Sequence, residues 1–263
     1  MTLVQFFGAI AKLSGLIFVV TSMVAMGLSL TVPQIMAPLR NVRLVILALF
    51  ANFVLIPLIA YGIIRVIPLA EPLQIGLILL ATAAGAPFLP KLVQVARGDI
   101  AFGVGLMVLL MVVTIIYMPI VLPFLLSGVQ VDPWAIAQSL ILLMLIPLGI
   151  ALFIRAQAPE TAATYQPVMN KASSLAILIL LVVGLGLNVS NILSLIGTGG
   201  ILALLLFIIA SFAIGFVLGL RDPGMRSVMG LGTAQRNISA ALVVGAQNFT
   251  VIEPESPAHL WRG

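Results

Sequence analysis

Five polar side chains crowd into the stretch GTAQRNIS, residues 232–239: Thr233, Gln235, Arg236, Asn237 and Ser239. Hydroxyls and carboxamides supply both donors and acceptors there, and the planar guanidinium fork matches a carboxylate. A second stretch, AAGAPFLPKLVQVARGD at residues 83–99, places Pro87 and Pro90 three residues apart and follows them with Lys91. Each proline lacks an N–H and crowds the carbonyl four residues back, so the carbonyls of Ala83 and Ala86 lose their helical partners. Small residues beside each stretch, Gly85 in the first and Gly230 and Gly232 in the second, permit close approach of a crossing helix. The chemistry on offer is recognition of an anion. Bond-making chemistry lacks its parts: the chain has no Cys and a single His, His259 near its C-terminus. Thiol nucleophiles, disulfides and Cys/His metal sites are thereby excluded, no catalytic residues are expected, and the chain reads as a non-enzyme.

The elements that position these groups belong to a membrane. Of 263 residues 62% are apolar and 7% charged, with a mean hydropathy of +1.30, too little polar surface to cover a soluble globule. Residues 13–39, 44–64, 72–90, 100–131, 133–154 and 172–220 each form a run without Asp, Glu, Lys or Arg. About 20 apolar residues cross the hydrocarbon core, and the last run is long enough for two crossings. Eight transmembrane helices are expected, near residues 14–30, 45–64, 73–96, 100–126, 134–153, 172–187, 201–220 and 227–249. The fold class is an all-α polytopic membrane protein. Residues 155–171 read as the longest polar connection. The first apolar run exceeds a signal-peptide core and is read as a retained span. Asp99 and Asp132 fall in turns, as solvated or capping residues, and no carboxylate lies within a span, which leaves no proton relay or carboxylate-ligated metal.

Net charge is +5, read here by side of the membrane and not as a nucleic-acid footprint. Arg40, Arg43, Arg97, Arg155, Lys171, Arg221 and Arg226 fall on one side, against Lys12, Arg65 and Arg262 on the other. The positive-inside rule puts the Arg-rich elbows in the cytoplasm and the N-terminus outside, in a multi-pass protein of the cell membrane. The partner this composition implies is the lipid bilayer, and no nucleic acid; the oligomeric state is unknown.

Residues 1–131 and 132–252 each hold four spans and one interrupted segment, followed by a polar tail at 253–263. Paired interrupted helices point to an inverted-repeat transporter with a midplane site. Two readings of the first stretch stay open: a broken helix lining a cavity, or an ordinary proline kink. Lys91 likewise either faces the cavity or snorkels to the cytoplasmic interface beyond Arg97.

Three stretches, MVAMGLSLTVPQIMAPLRNVRLVILALFANFVLIPLIAYGI, AAGAPFLPKLVQVARGD and GTAQRNISAAL, in this order resemble the bile acid:sodium symporter family. The resemblance implies a panel and a core domain, with two discontinuous helices crossing at residues 83–97 and about 229–245, where sodium and an organic anion bind. The sequence departs from that pattern at the sodium ligands: Leu89 and Pro90 take the place of a Ser-Asn pair, and Leu231 that of a glutamate. No cofactor is expected, and these substitutions argue against the sodium the resemblance implies. Lys91 and Arg236 are the cations nearest those positions, and anion transport coupled to Lys91 deprotonation is one consequence. The family's usual last helix has no counterpart in the closing residues, so an inactive truncated copy, or a non-transporting sensor or scaffold, is the alternative to a transporter.

Overall fold

The computed structural model describes residues 3–36, 40–126, 132–187, 189, 193, 195–220 and 222–248, without the side chains of residues 4, 91 and 246–248. Arg221 and the 253–263 tail lie outside the described residues, as does the side chain of Lys91. Every regular element described is helical.

Six helices are long and apolar enough to span a membrane. These are α1 (Leu3–Ser29), α3 (Val42–Val66), α6 (Ile100–Leu125), α7 (Pro133–Gln157), α8 (Pro159–Leu187) and α9 (Gly200–Leu218). A short α2 (Val32–Met36) forms the first elbow. Two further segments are each made of two half-helices: α4 (Glu71–Thr82) with α5 (Leu89–Val95), and α10 (Pro223–Ala234) with α11 (Ile238–Asn248). The chain is therefore an all-α, multi-pass membrane protein.

Aspartates start three of these helices. Asp99 accepts from the Phe102 N–H of α6, Asp132 from Trp134 and Ala135 of α7, and Asp222 from Met225 of α10. Pro133 and Pro223, each directly after such a cap, have no N–H to waste and a φ preset for the first turn.

Two expectations are corrected. The connection at 155–171 is not a loop: α7 runs on to Gln157, and α8 starts afresh at Pro159 and carries its polar first half as helix. Proline at N1, Glu160 in the first turn and the following alanines are strong helix-start chemistry that a count of polar residues overlooks. The first helix begins at Leu3, not near residue 14, because a lone Lys12 does not interrupt an otherwise good helix.

Prolines inside α3 and α7 leave a local signature. A π-helical turn, Ala51–Leu55 or Ile141–Leu145, ends two residues before Pro57 or Pro147. Pro57 deprives the Phe53 carbonyl of its helical donor, and the Tyr117 hydroxyl of α6 donates to that carbonyl at 2.7 Å. Tyr117→Phe is expected to leave it unpaired, at a cost of roughly 1–3 kcal/mol. A thermal melt in detergent reads this as a lowered midpoint.

α1 lies along α7 and α8, forming one layer. Around the half-helices, α3, α6 and α9 form the other, with α6 the most enclosed. Close approach is built in by Gly215 of α9, where a Cβ would sit 2.2 Å from the Met229 carbonyl oxygen of α10.

Candidate functional site

The two interruptions meet and are stitched to one another. α4 ends at Thr82 and the chain runs extended through Ala83, turns at Gly85 with φ +79°, and re-enters helix at Leu89. α10 ends at Ala234 with Gln235 extended. Asn237 then donates its backbone N–H to the Ala83 carbonyl at 2.9 Å, the acceptor that Pro87 leaves without a helical partner. Its side-chain Nδ2 donates to the Gly85 carbonyl at 2.9 Å, while its Oδ1 accepts from Ala240 and caps α11. Of the two readings of residues 83–99, the structure therefore shows the broken helix.

Arg236 completes the junction. Nε donates to the Leu80 carbonyl at 2.9 Å and Nη2 to that of Ala81 at 2.7 Å. Nη1 donates to the Asn52 Oδ1 at 2.6 Å and to the Thr233 carbonyl at 3.1 Å. Leu80 and Ala81 belong to the last turn of α4, at the negative end of the helix dipole, where Leu80 keeps only a long bond from the Ala83 N–H, at 3.3 Å. The guanidinium caps that half-helix. Four of its five N–H groups are bonded within the protein, no carboxylate of the described residues is in ion-pair range, and Arg236 is only 6% exposed.

Two residues that sequence reasoning missed hold this junction from outside. Asn52, fully buried in the π-helical turn of α3, receives Arg236 and donates to Ala48. Thr114 of α6 accepts from the Ala84 N–H at 2.9 Å and donates to the Ala84 carbonyl at 3.1 Å, so both backbone groups of a residue outside any helix are satisfied. The signal was present: each is a lone hydrogen-bonding residue in an apolar run, which at membrane depth requires an inward partner.

A cavity of about 770 Å³ opens where the breaks face α1 and α8. Of the sequence-predicted site residues, Gln235, Arg236 and Ser239 line it, as do Pro87 and Pro90. Its far wall sets polar groups, Ser22 and Ser29 of α1 and Gln166, Asn170, Ser173 and Ser174 of α8, among the apolar Phe18, Met26, Leu30 and Ile177. Arg236 is the one charged residue of the lining among the described residues. Gln235 Oε1 is buried without a hydrogen-bond partner, an acceptor in want of a donor. A larger groove of about 930 Å³ between α4, α9 and α11 is apolar except for Lys12 and offers an anion little else.

Other expected residues are placed differently. Thr233 and Asn237 are buried within the junction and do not line the cavity. Gly230 and Gly232, expected at the break, lie inside α10, where they admit the Phe212 ring and the Leu89 and Leu106 side chains. Pro90 sits in the first turn of α5, where a missing N–H costs nothing.

Two broken helices, joined at their interruptions, thus stand beside a cavity, and comparison with known proteins supplies a family. The model of the Sodium Bile acid symporter family matches residues 16–195, more than half of the chain. The chain belongs to this family. It is similar to the probable sodium/metabolite cotransporter BASS3, chloroplastic, of Arabidopsis thaliana, at 25% identity over 78% of this chain and 47% of the relative. The protein of the same name from Oryza sativa subsp. japonica is 24% identical over 74% of this chain and 46% of its own length. The chain thus spans about half the length of these curated relatives. The family match ends before α10, so the second arm of the crossing rests on the geometry above.

Sodium, named in the family, does not fit the residues present. Leu89 is buried against Gly232, and Leu231 packs on the apolar core. The oxygens that do converge at the crossing already receive the Arg236 guanidinium.

Proposed function

We propose that the chain is a secondary transporter of an organic anion, bile-acid-like or a small carboxylate, working by alternating access in the cell membrane. The observation that supports this is the cavity at the two breaks, an apolar chamber set with hydroxyls and carboxamides whose one charged lining residue among the described residues is a cation. The fifth guanidinium N–H, on Nη2, is left for a substrate carboxylate. Gln235 Oε1 would accept from a hydroxyl or amide of the same molecule. Alternating access follows if the α1, α7 and α8 layer and the crossed half-helices close on the cavity from opposite sides, each half of the chain, 1–131 and 132–252, contributing one broken helix. The Arg-rich elbows would face the cytoplasm and the N-terminus the outside.

Uptake of labelled taurocholate and short carboxylates into proteoliposomes tests the reading. Saturable uptake of at least one is expected, and protein-free rates for every anion would refute it. Asn170, exposed on the α8 wall, supplies a specific check. Asn170→Leu removes about one hydrogen bond, roughly 0.5–1.5 kcal/mol, so KM should rise about 2- to 10-fold with the melting midpoint unchanged.

A further inference from the structure

We infer that Arg236 is the resident cation of the crossing, occupying the oxygen cage that a coupling sodium ion would need, so that the anion is moved without sodium. For its transport arm this rests on the function proposed above; for its binding arm it does not.

Oxygen geometry is the first support. Three backbone carbonyls, of Leu80, Ala81 and Thr233, and the Asn52 side-chain oxygen surround one guanidinium. Neutral carbonyl oxygens at the C-terminal end of an interrupted helix are the surroundings in which broken-helix transporters hold a coupling cation. Here a covalently attached cation holds the same position relative to the dipole. The guanidinium is covalently attached, so its attraction for those carbonyls does not depend on ion supply.

Apolar filling is the second, independent support. Leu89 is 1% exposed, and a Cβ placed on Gly232 would lie 3.3 Å from its Cδ2. Space between the two half-helices is thus taken by hydrocarbon where an ion would require oxygen. The described residues also offer no cluster of three His, Cys, Asp or Glu side chains as an alternative cage.

Energetics follow from the tether. A bound sodium ion travels with the substrate and adds its gradient to the driving force, whereas a guanidinium returns with the protein. Each cycle then carries the negative charge of the substrate alone. An inside-positive potential should raise accumulation of the anion, and a cycle carrying two or more sodium ions per monovalent anion would show the opposite sign.

The binding arm uses thermal melting of the purified protein in sodium chloride against choline chloride at equal ionic strength. For the native chain the two salts should give the same midpoint; a midpoint raised by sodium alone overturns the inference, because a ligand of the folded state must stabilise it. Arg236→Ser empties the cage, should melt lower, and should regain part of the loss in sodium but not in choline. A folded Arg236→Ser that ignores sodium overturns the cage assignment. Should that variant not fold, Arg236→Lys keeps a tethered cation and is expected to be equally indifferent to the two salts. In proteoliposomes, equal uptake in sodium and choline with the inside-positive response supports the inference, and sodium-dependent uptake overturns it. Absence of uptake in both salts counts against the proposed function and leaves the melting result to decide this one.

Discussion

Gly85→Ala is expected to yield little or no correctly folded protein. Gly85 has φ +79°, and a Cβ there would lie 2.2 Å from the Met111 backbone N and 2.6 Å from the Met107 carbonyl oxygen. Both clashing atoms are α6 backbone, which cannot rotate away as a side-chain tip can. α6 would have to withdraw from the extended segment, taking with it the two Thr114 bonds that satisfy Ala84. The cost should exceed about 4 kcal/mol, in the range reserved for strain and overpacking together. Size-exclusion chromatography of a fluorescent fusion reads this directly. A monodisperse variant with an unchanged melting midpoint would mean that the two backbones do not approach as described.

The second large effect is expected at Asn237, whose side chain faces both ways across the junction. Asn237→Ala leaves the Gly85 carbonyl without its donor, roughly 1–3 kcal/mol, and removes the α11 cap, about 0.5–2 kcal/mol. Asn237→Ser retains an oxygen able to cap α11 and is too short to reach the Gly85 carbonyl, so its midpoint should fall between those of the native chain and the alanine variant. Uptake should fall further than folded protein does in both, because the orientation of α11 sets where Ser239 and Gln235 stand in the cavity. A serine variant no better than alanine would show that the cap contributes nothing measurable.

The sequence announced the crossing through backbone chemistry. Pro87 foretells a free carbonyl at Ala83, and that carbonyl is the acceptor of the Asn237 N–H. The GTAQRNIS cluster foretells a polar interruption, and the helix breaks at Gln235. What could not be read was the destination of each polar group. Arg236 looks like a ligand for a carboxylate as long as its neighbours are unknown. In place, two of its four hydrogen bonds end on carbonyls of α4, more than 150 residues earlier in the chain. Such pairings are tertiary and leave no local periodicity. Asn52 and Thr114 escaped for the same reason, since each is one residue in an apolar run whose partner lies on another helix. The glycines of α10 were over-read: a small residue marks either a break or a close approach, and only the neighbouring Phe212, Leu89 and Leu106 distinguish these. The helical start of α8 was under-read, because polarity suggested a loop where the Pro159-Glu160 pair prescribed a helix.

The central claim is that the cavity between the crossing and the α1, α7 and α8 layer opens alternately to the two sides around an organic anion. With no native cysteine, a single thiol can report on it: Ser174→Cys, exposed on the α8 wall of that cavity. Its modification by a membrane-impermeant maleimide is measured from each side of sealed vesicles, with and without a transported carboxylate. The account predicts that substrate lowers the rate from one side and raises it from the other. A rate that substrate leaves unchanged on both sides would contradict it.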